Sequence, residues 1–153
     1  MIRRLPSLVL AAALVAGCRG SRAPGSFRGI SLQNADGSET VSLASCRTQR
    51  CLTVYVAPWC GYCRAATPMI KELRGILRSR GVESWVIVGL DAEPSLRTYA
   101  REFGQGALVD VNRAIDPGGV PHFFMVDNSG NVLRHVPGLP PNPADLIAFA
   151  LKP

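Results

Sequence analysis

Cys60 and Cys63, with only Gly61 and Tyr62 between them, stand where an apolar strand-like run gives way to a helical one. That junction limits what the chain can fold into more than any other feature. Leu52-Thr53-Val54-Tyr55-Val56-Ala57 reads as a buried strand, and the residues beyond the pair place Ala66, Met69, Ile70, Leu73, Ile76 and Leu77 on one helical face. Strand, Cys-x-x-Cys and helix, in that order, predict two thiols that close into a disulfide and reopen. The first amides of a helix have no partner within it, and the aligned peptide dipoles leave partial positive charge there. Both favour a thiolate at Cys60. Lowering a cysteine pKa from about 8.5 to about 6 takes roughly 3.4 kcal/mol of preference for the thiolate. The helix dipole supplies about 2 kcal/mol at best, so direct hydrogen bonds, chiefly from the Cys63 amide and thiol, must supply the rest. Cys60 is therefore expected to attack and Cys63 to resolve the mixed disulfide.

The remaining pattern predicts a hairpin of residues 29–32 and 40–43 about Asp36-Gly37. Core strands are expected at 52–57, 85–90, 122–126 and 132–136, and helices near 61–79, 94–103 and 143–151. Pro68 is expected to kink the first helix, because it lacks the donor for an i to i−4 bond. Leu108 to Val111, followed by Asn112 to Ile115, reads as an extra short strand and turn. Asp127 and Gly130 fit a hairpin turn.

Trp59-Cys60-Gly61-Tyr62-Cys63, with Pro68 five residues after the second cysteine, resembles the thioredoxin superfamily. Gly119-Val120-Pro121, followed by the apolar run His122-Phe123-Phe124-Met125-Val126, is similar to the second signature of that superfamily. The stretch from Ile30 through Asp36-Gly37 to Leu43, and the ending from Val120 through Asp127 to Val132, resemble its periplasmic TlpA-type subgroup. The resemblance spans roughly residues 27 to 152. It implies an α/β, thioredoxin-like fold: a central mixed β-sheet flanked by helices, with a short β/α insertion before the cis-proline loop. It also implies that the Val120-Pro121 bond is cis and that this pair faces the cysteines and shapes a groove for substrate peptide. Trp59 is expected to shield the sulfurs or to pack in the core, and Tyr62 to be exposed and to touch substrate.

The activity so implied is thiol–disulfide exchange with protein cysteines, through a redox-active disulfide that needs neither cofactor nor metal. Where thioredoxin carries a buried aspartate six residues before its first cysteine, this chain has Val54. That departure speaks against an efficient thioredoxin-like reductase. The Gly61-Tyr62 dipeptide is similar to that of periplasmic disulfide isomerases, and Val120 before the proline resembles the DsbA-type oxidases, so the direction of electron flow stays open. A reductase dedicated to one partner, such as a cytochrome c or copper-site maturation factor, is the neighbouring reading. A metal-binding or non-catalytic thioredoxin-fold module is the alternative from another class.

Arg3 and Arg4 precede an apolar stretch of 13 residues from Leu5 to Gly17. A membrane-spanning helix needs about 20 residues, so this is the core of a signal peptide. Its end, Leu14-Val15-Ala16-Gly17-Cys18, resembles the bacterial lipobox, which implies signal peptide 1–17, lipid on Cys18, a tether over 18–26 and one domain over 27–153. The place of action is then the bacterial cell envelope, anchored by lipid and facing the periplasm. The partners are protein thiols and disulfides, the membrane, and a redox partner not identified by sequence. Cleavage removes 17 of 153 residues and leaves 136, enough for one core. It takes the formal charge from +6 to +4, since Arg3 and Arg4 leave with no acid. No basic stripe interleaved with aromatics points to nucleic acid.

Cys46 and Cys51 precede the central strand, and in an oxidising compartment a Cys-x₄-Cys pair reads first as a structural disulfide. A second redox pair that relays electrons to Cys60–Cys63 is the sharper alternative. A tetrahedral metal site gathering Cys46, Cys51, Cys60 and Cys63 is a third. His122 follows the second signature and reads as a packed or surface histidine, and His135 carries no evident role. Glu83 and Asp91 read as ordinary strand-end charges.

Overall fold

A computed structural model describes residues 23–152. Four β-branched or aromatic residues, Thr53, Val54, Tyr55 and Val56, in the six from Leu52 to Ala57 explain why the segment before Cys60 is a strand. β3 (Arg50–Val56) is buried along almost its whole length because both of its edges and both of its faces are covered. It pairs in parallel with β4 (Glu83–Gly89), Cys51 opposite Glu83, and antiparallel with β6 (His122–Asp127), Tyr55 opposite His122. β1 (Ser31–Asn34) and β2 (Thr40–Ser42) form the hairpin expected about Asp36-Gly37, with Leu32 opposite Val41. β5 (Ala107–Asp110) is the extra short strand, and β7 (Val132–Pro137) closes the far edge. The sheet runs β2-β1-β5-β4-β3-β6-β7 and is mixed.

The helices are α1 (Gly61–Ser79), α2 (Glu93–Phe103) and α3 (Pro143–Leu151). β3 to β4 and β4 to β5 step in the same direction, and right-handed crossovers therefore put α1 and α2 on one face. The inward residues of α3, Leu146 and Ala150, enter the same core as Ile70, Leu73 and Leu77 of α1 and Leu96 and Tyr99 of α2. Opposite them lies a second cluster of Tyr55, Ile87, Leu108 and Phe124, covered by Phe27, Leu43 and Ile115 from the connecting segments. All three described helices thus bury into one face. The segment 111–121 carries a turn and no helix.

α1 runs as a single element through Pro68, the proline expected to kink it. The proline stands in the helix interior, where the turns on either side hold the register. Gly25 and Ser26, which the sequence places at the end of the tether, already bond to the β6–β7 turn: the Val132 amide donates to the Gly25 carbonyl at 3.0 Å and the Ser26 hydroxyl to the Gly130 carbonyl at 3.1 Å. The signal stretch and Cys18 lie outside the described residues. No described helix is long and apolar enough to cross a membrane.

Candidate active site

The end of β3 delivers Ala57-Pro58-Trp59 to the start of α1, where Cys60 is the N-cap in extended conformation. The Cys63 amide donates to Cys60 Sγ at 3.1 Å, which is the direct hydrogen bond that the dipole argument demanded. The first turn of α1 holds no acid that would offset its positive end. The two cysteines are disulfide-bonded with Cα atoms 5.2 Å apart. Cys60 is 5% exposed and Cys63 fully buried, so Cys60 is the more accessible of the two sulfurs.

The Val120-Pro121 bond is cis. It sets the Val120 carbonyl 3.6 Å from Cys60 Sγ, so the second signature and the first meet across 60 residues of chain. Tyr62 is 77% exposed and Trp59 63% exposed, flanking the disulfide. Trp59 is therefore no core residue: its indole Nε1 donates at 2.8 Å to the carbonyl of Leu90, which holds a left-handed φ of 65° beyond the end of β4. Nothing in the sequence marked Leu90 for this role.

Arg64 also went unmarked. Its guanidinium donates to the Pro58 carbonyl at 2.9 Å and to Glu102 at 2.7 Å, and lies 3.9 Å above the Tyr99 ring. It thereby ties the loop before Cys60 to α2. Thr67 donates to the Cys63 carbonyl at 3.1 Å and meets the Tyr99 hydroxyl at 2.9 Å. Val54 is fully buried in the position where thioredoxin's acid is expected.

On the other face of the sheet, buried Asp110 accepts from the Tyr55 hydroxyl at 2.9 Å and from the amides of Ala114 and Ile115 at 2.7 and 3.1 Å. Burial and this carboxylate push the Tyr55 hydroxyl far above its usual range. The three bonds fix the start of the segment that leads to Pro121. A Cβ on Gly89 would collide with the Tyr55 hydroxyl, which accounts for glycine there. His122 is buried, stacks on Phe124 at 4.2 Å and meets His135 through Nε2 and Nδ1 at 2.9 Å. It belongs to the face away from Cys60 and Cys63, as the alternation of β6 requires.

Cys46 and Cys51 form a second disulfide, with Cα atoms 6.0 Å apart. Cys51 is the second residue of β3, and Cys60 lies past its opposite end. The five steps from Cys51 to Val56 alone span about 17 Å of strand, so the four cysteines do not converge and the four-thiolate metal site is excluded. Glu83, read as an ordinary strand-end charge, sits instead beside the second pair: its Oε2 is 3.7 Å from Cys51 Sγ. Asp91 accepts from the neighbouring Ala92 amide at 2.7 Å.

Fold and site together define a protein that exchanges thiols and disulfides on a thioredoxin-like scaffold. The Redoxin family model matches residues 19–140, and the chain belongs to that family as a thiol–disulfide oxidoreductase. A thiol:disulfide interchange protein of the thioredoxin family from Chlorobium tepidum TLS is similar at 27% identity, over 86% of this chain and 99% of its own, with a TM-score of 0.63. The exposed lipoprotein thioredoxin Etrx1 of Streptococcus pneumoniae shares the fold at 16% identity, over 81% and 98%, with a TM-score of 0.65. A secreted Mycobacterium tuberculosis disulfide oxidoreductase homologous to E. coli DsbE shares it at 15% identity, over 79% and 93%, with a TM-score of 0.63. No curated protein sequence matches at a significant level.

Proposed function

We propose that Cys60 and Cys63 are the redox centre of a lipid-anchored oxidoreductase that acts on protein cysteines at the periplasmic face of the bacterial envelope. The observation that carries the reading is the placing of Cys60 Sγ between the Cys63 amide at 3.1 Å and the Val120 carbonyl at 3.6 Å. In the reducing direction the Cys60 thiolate attacks one sulfur of a substrate disulfide and releases the other as a thiolate. The Cys63 thiolate then attacks Cys60 Sγ, expels the second substrate sulfur and leaves the Cys60–Cys63 disulfide, two electrons having passed to substrate. Oxidation of substrate is the same path reversed. Val120 and Pro121 present backbone along which an extended peptide aligns its sulfur, and Trp59 and Tyr62 give that peptide apolar contact.

Anchoring rests on the Cys18 motif, and the lipoprotein relative from Streptococcus pneumoniae supports it. The reduction potential decides direction: a value near −120 mV is that of an oxidase and one near −270 mV that of a reductase. The test of the site is trapping. Cys63→Ala should accumulate mixed disulfides with envelope proteins on a non-reducing gel, and Cys60→Ala should accumulate almost none. Equal trapping by the two variants would refute the assignment of roles.

A further inference from the structure

We propose that Cys46, Cys51 and Glu83, once the Cys46–Cys51 disulfide is reduced, form a binding site for a zinc-like divalent cation. The site stands apart from the Cys60–Cys63 chemistry, at the opposite end of β3. Parallel pairing sets Cys51 opposite Glu83, and one ligand atom from each of Cys46, Cys51 and Glu83 lies within 4.8 Å of the others. Tetrahedral zinc, with bonds of about 2.3 Å to sulfur and about 2.1 Å to oxygen, puts a sulfur and an oxygen ligand about 3.6 Å apart. Cys51 Sγ and Glu83 Oε2 are 3.7 Å apart. The two sulfurs need only open to about 3.8 Å, which rotation of one side chain provides on backbones 6.0 Å apart.

The surroundings suit the dithiol. The Thr48 carbonyl lies 3.2 Å from Cys46 Sγ and the Glu83 carboxylate beside Cys51 Sγ, two acceptors that a thiol can use and a disulfide cannot. The Arg47 amide donates to Glu83 Oε2 at 2.7 Å and fixes the carboxylate. Cys46 is 7% exposed and Cys51 1%, so the sulfurs are shielded from water. Arg47, Thr48 and Glu83 are among the residues lining an open cavity of about 1070 Å³, which gives the ion a way in. A phosphine with water supplies two electrons and two protons and leaves as the phosphine oxide, or an external dithiol supplies both and leaves as its own disulfide, turning the Cys46–Cys51 disulfide into two thiols. The cation displaces both protons, and two thiolates, the Glu83 carboxylate and a solvent molecule complete four-coordination.

Full-length protein carrying Cys60→Ser and Cys63→Ser removes the competing dithiol. After phosphine reduction and removal of the reductant, Co²⁺ is the probe, and zinc its competitor. One Co²⁺ per chain should bind with a near-ultraviolet sulfur-to-cobalt band that zinc abolishes. Glu83→Gln should weaken binding at least about tenfold, the scale on which even outer partners of metal ligands act, and Cys46→Ser with Cys51→Ser should abolish it. In the same Cys60→Ser, Cys63→Ser background, zinc should raise the thermal midpoint of the reduced protein and leave that of the oxidised protein unchanged. Absence of the band, equal affinity in Glu83→Gln, or a zinc shift alike in both redox states would overturn the proposal.

Discussion

His122 is buried at the start of β6, on the face of the sheet away from Cys60 and Cys63. It was expected to be packed or at the surface. It stacks on Phe124 and meets His135, a histidine with no role evident from sequence. Burial, and then the nearness of His135, hold its pKa below the ordinary value of about 6.5. The unfolded chain therefore binds more protons than the folded one as pH falls below about 6.5. Stability from this residue is complete above that pH and is lost as pH falls through the depressed folded value. The chain has two histidines, so few other groups titrate between pH 5 and 8. Urea unfolding of His122→Phe, which keeps a ring on Phe124, should show a shallower fall of stability from pH 7 to 5 than the parent. An unchanged slope would remove His122 as its source.

At the scale of elements, β3 is an axle with a disulfide at each end. Both ends were read from sequence, and the strand between them lies within a residue or two of the expected bounds. α1 begins and ends where the pattern put it, because its apolar period, its N-cap and the arginine of its last turn all agree. The Cys46–Cys51 link closes a short loop onto the head of this strand, and the chain-entropy model values such a loop at about 2 kcal/mol. In metal-free buffer, Cys46→Ser with Cys51→Ser should lower the unfolding free energy by about that amount and leave turnover of a model disulfide peptide largely intact. Collapse of turnover with the fold retained would instead make the pair part of the electron path.

For the whole molecule, helices on one face and connecting segments on the other leave the Cys60 end of β3 open beside Val120. Phe27 packs edge-on against Phe124 at 5.3 Å, so the chain leaving the Cys18 region enters the fold as a strap over the second cluster. If Cys18 carries lipid, Cys18→Ala should move the protein from the membrane to the soluble envelope fraction, read by fractionation and intact mass. Wild-type protein that is soluble with an unmodified N-terminus would contradict the anchor.

What the sequence alone determined is what local chemistry dictates: the strand, thiol pair and helix at Cys60, the hairpin at Asp36-Gly37 and the period of each helix. These follow from steric preference and from alternation within a few residues. The cis geometry at Pro121 was legible through resemblance. Glu83 beside Cys51, 32 residues away, was decided only in three dimensions. So were Asp110 under Tyr55, at a separation of 55, and the meeting of His122 with His135. Each depends on which strands lie side by side and in what register. Register is chosen by burial summed over the whole sheet, a quantity that no single stretch of sequence carries.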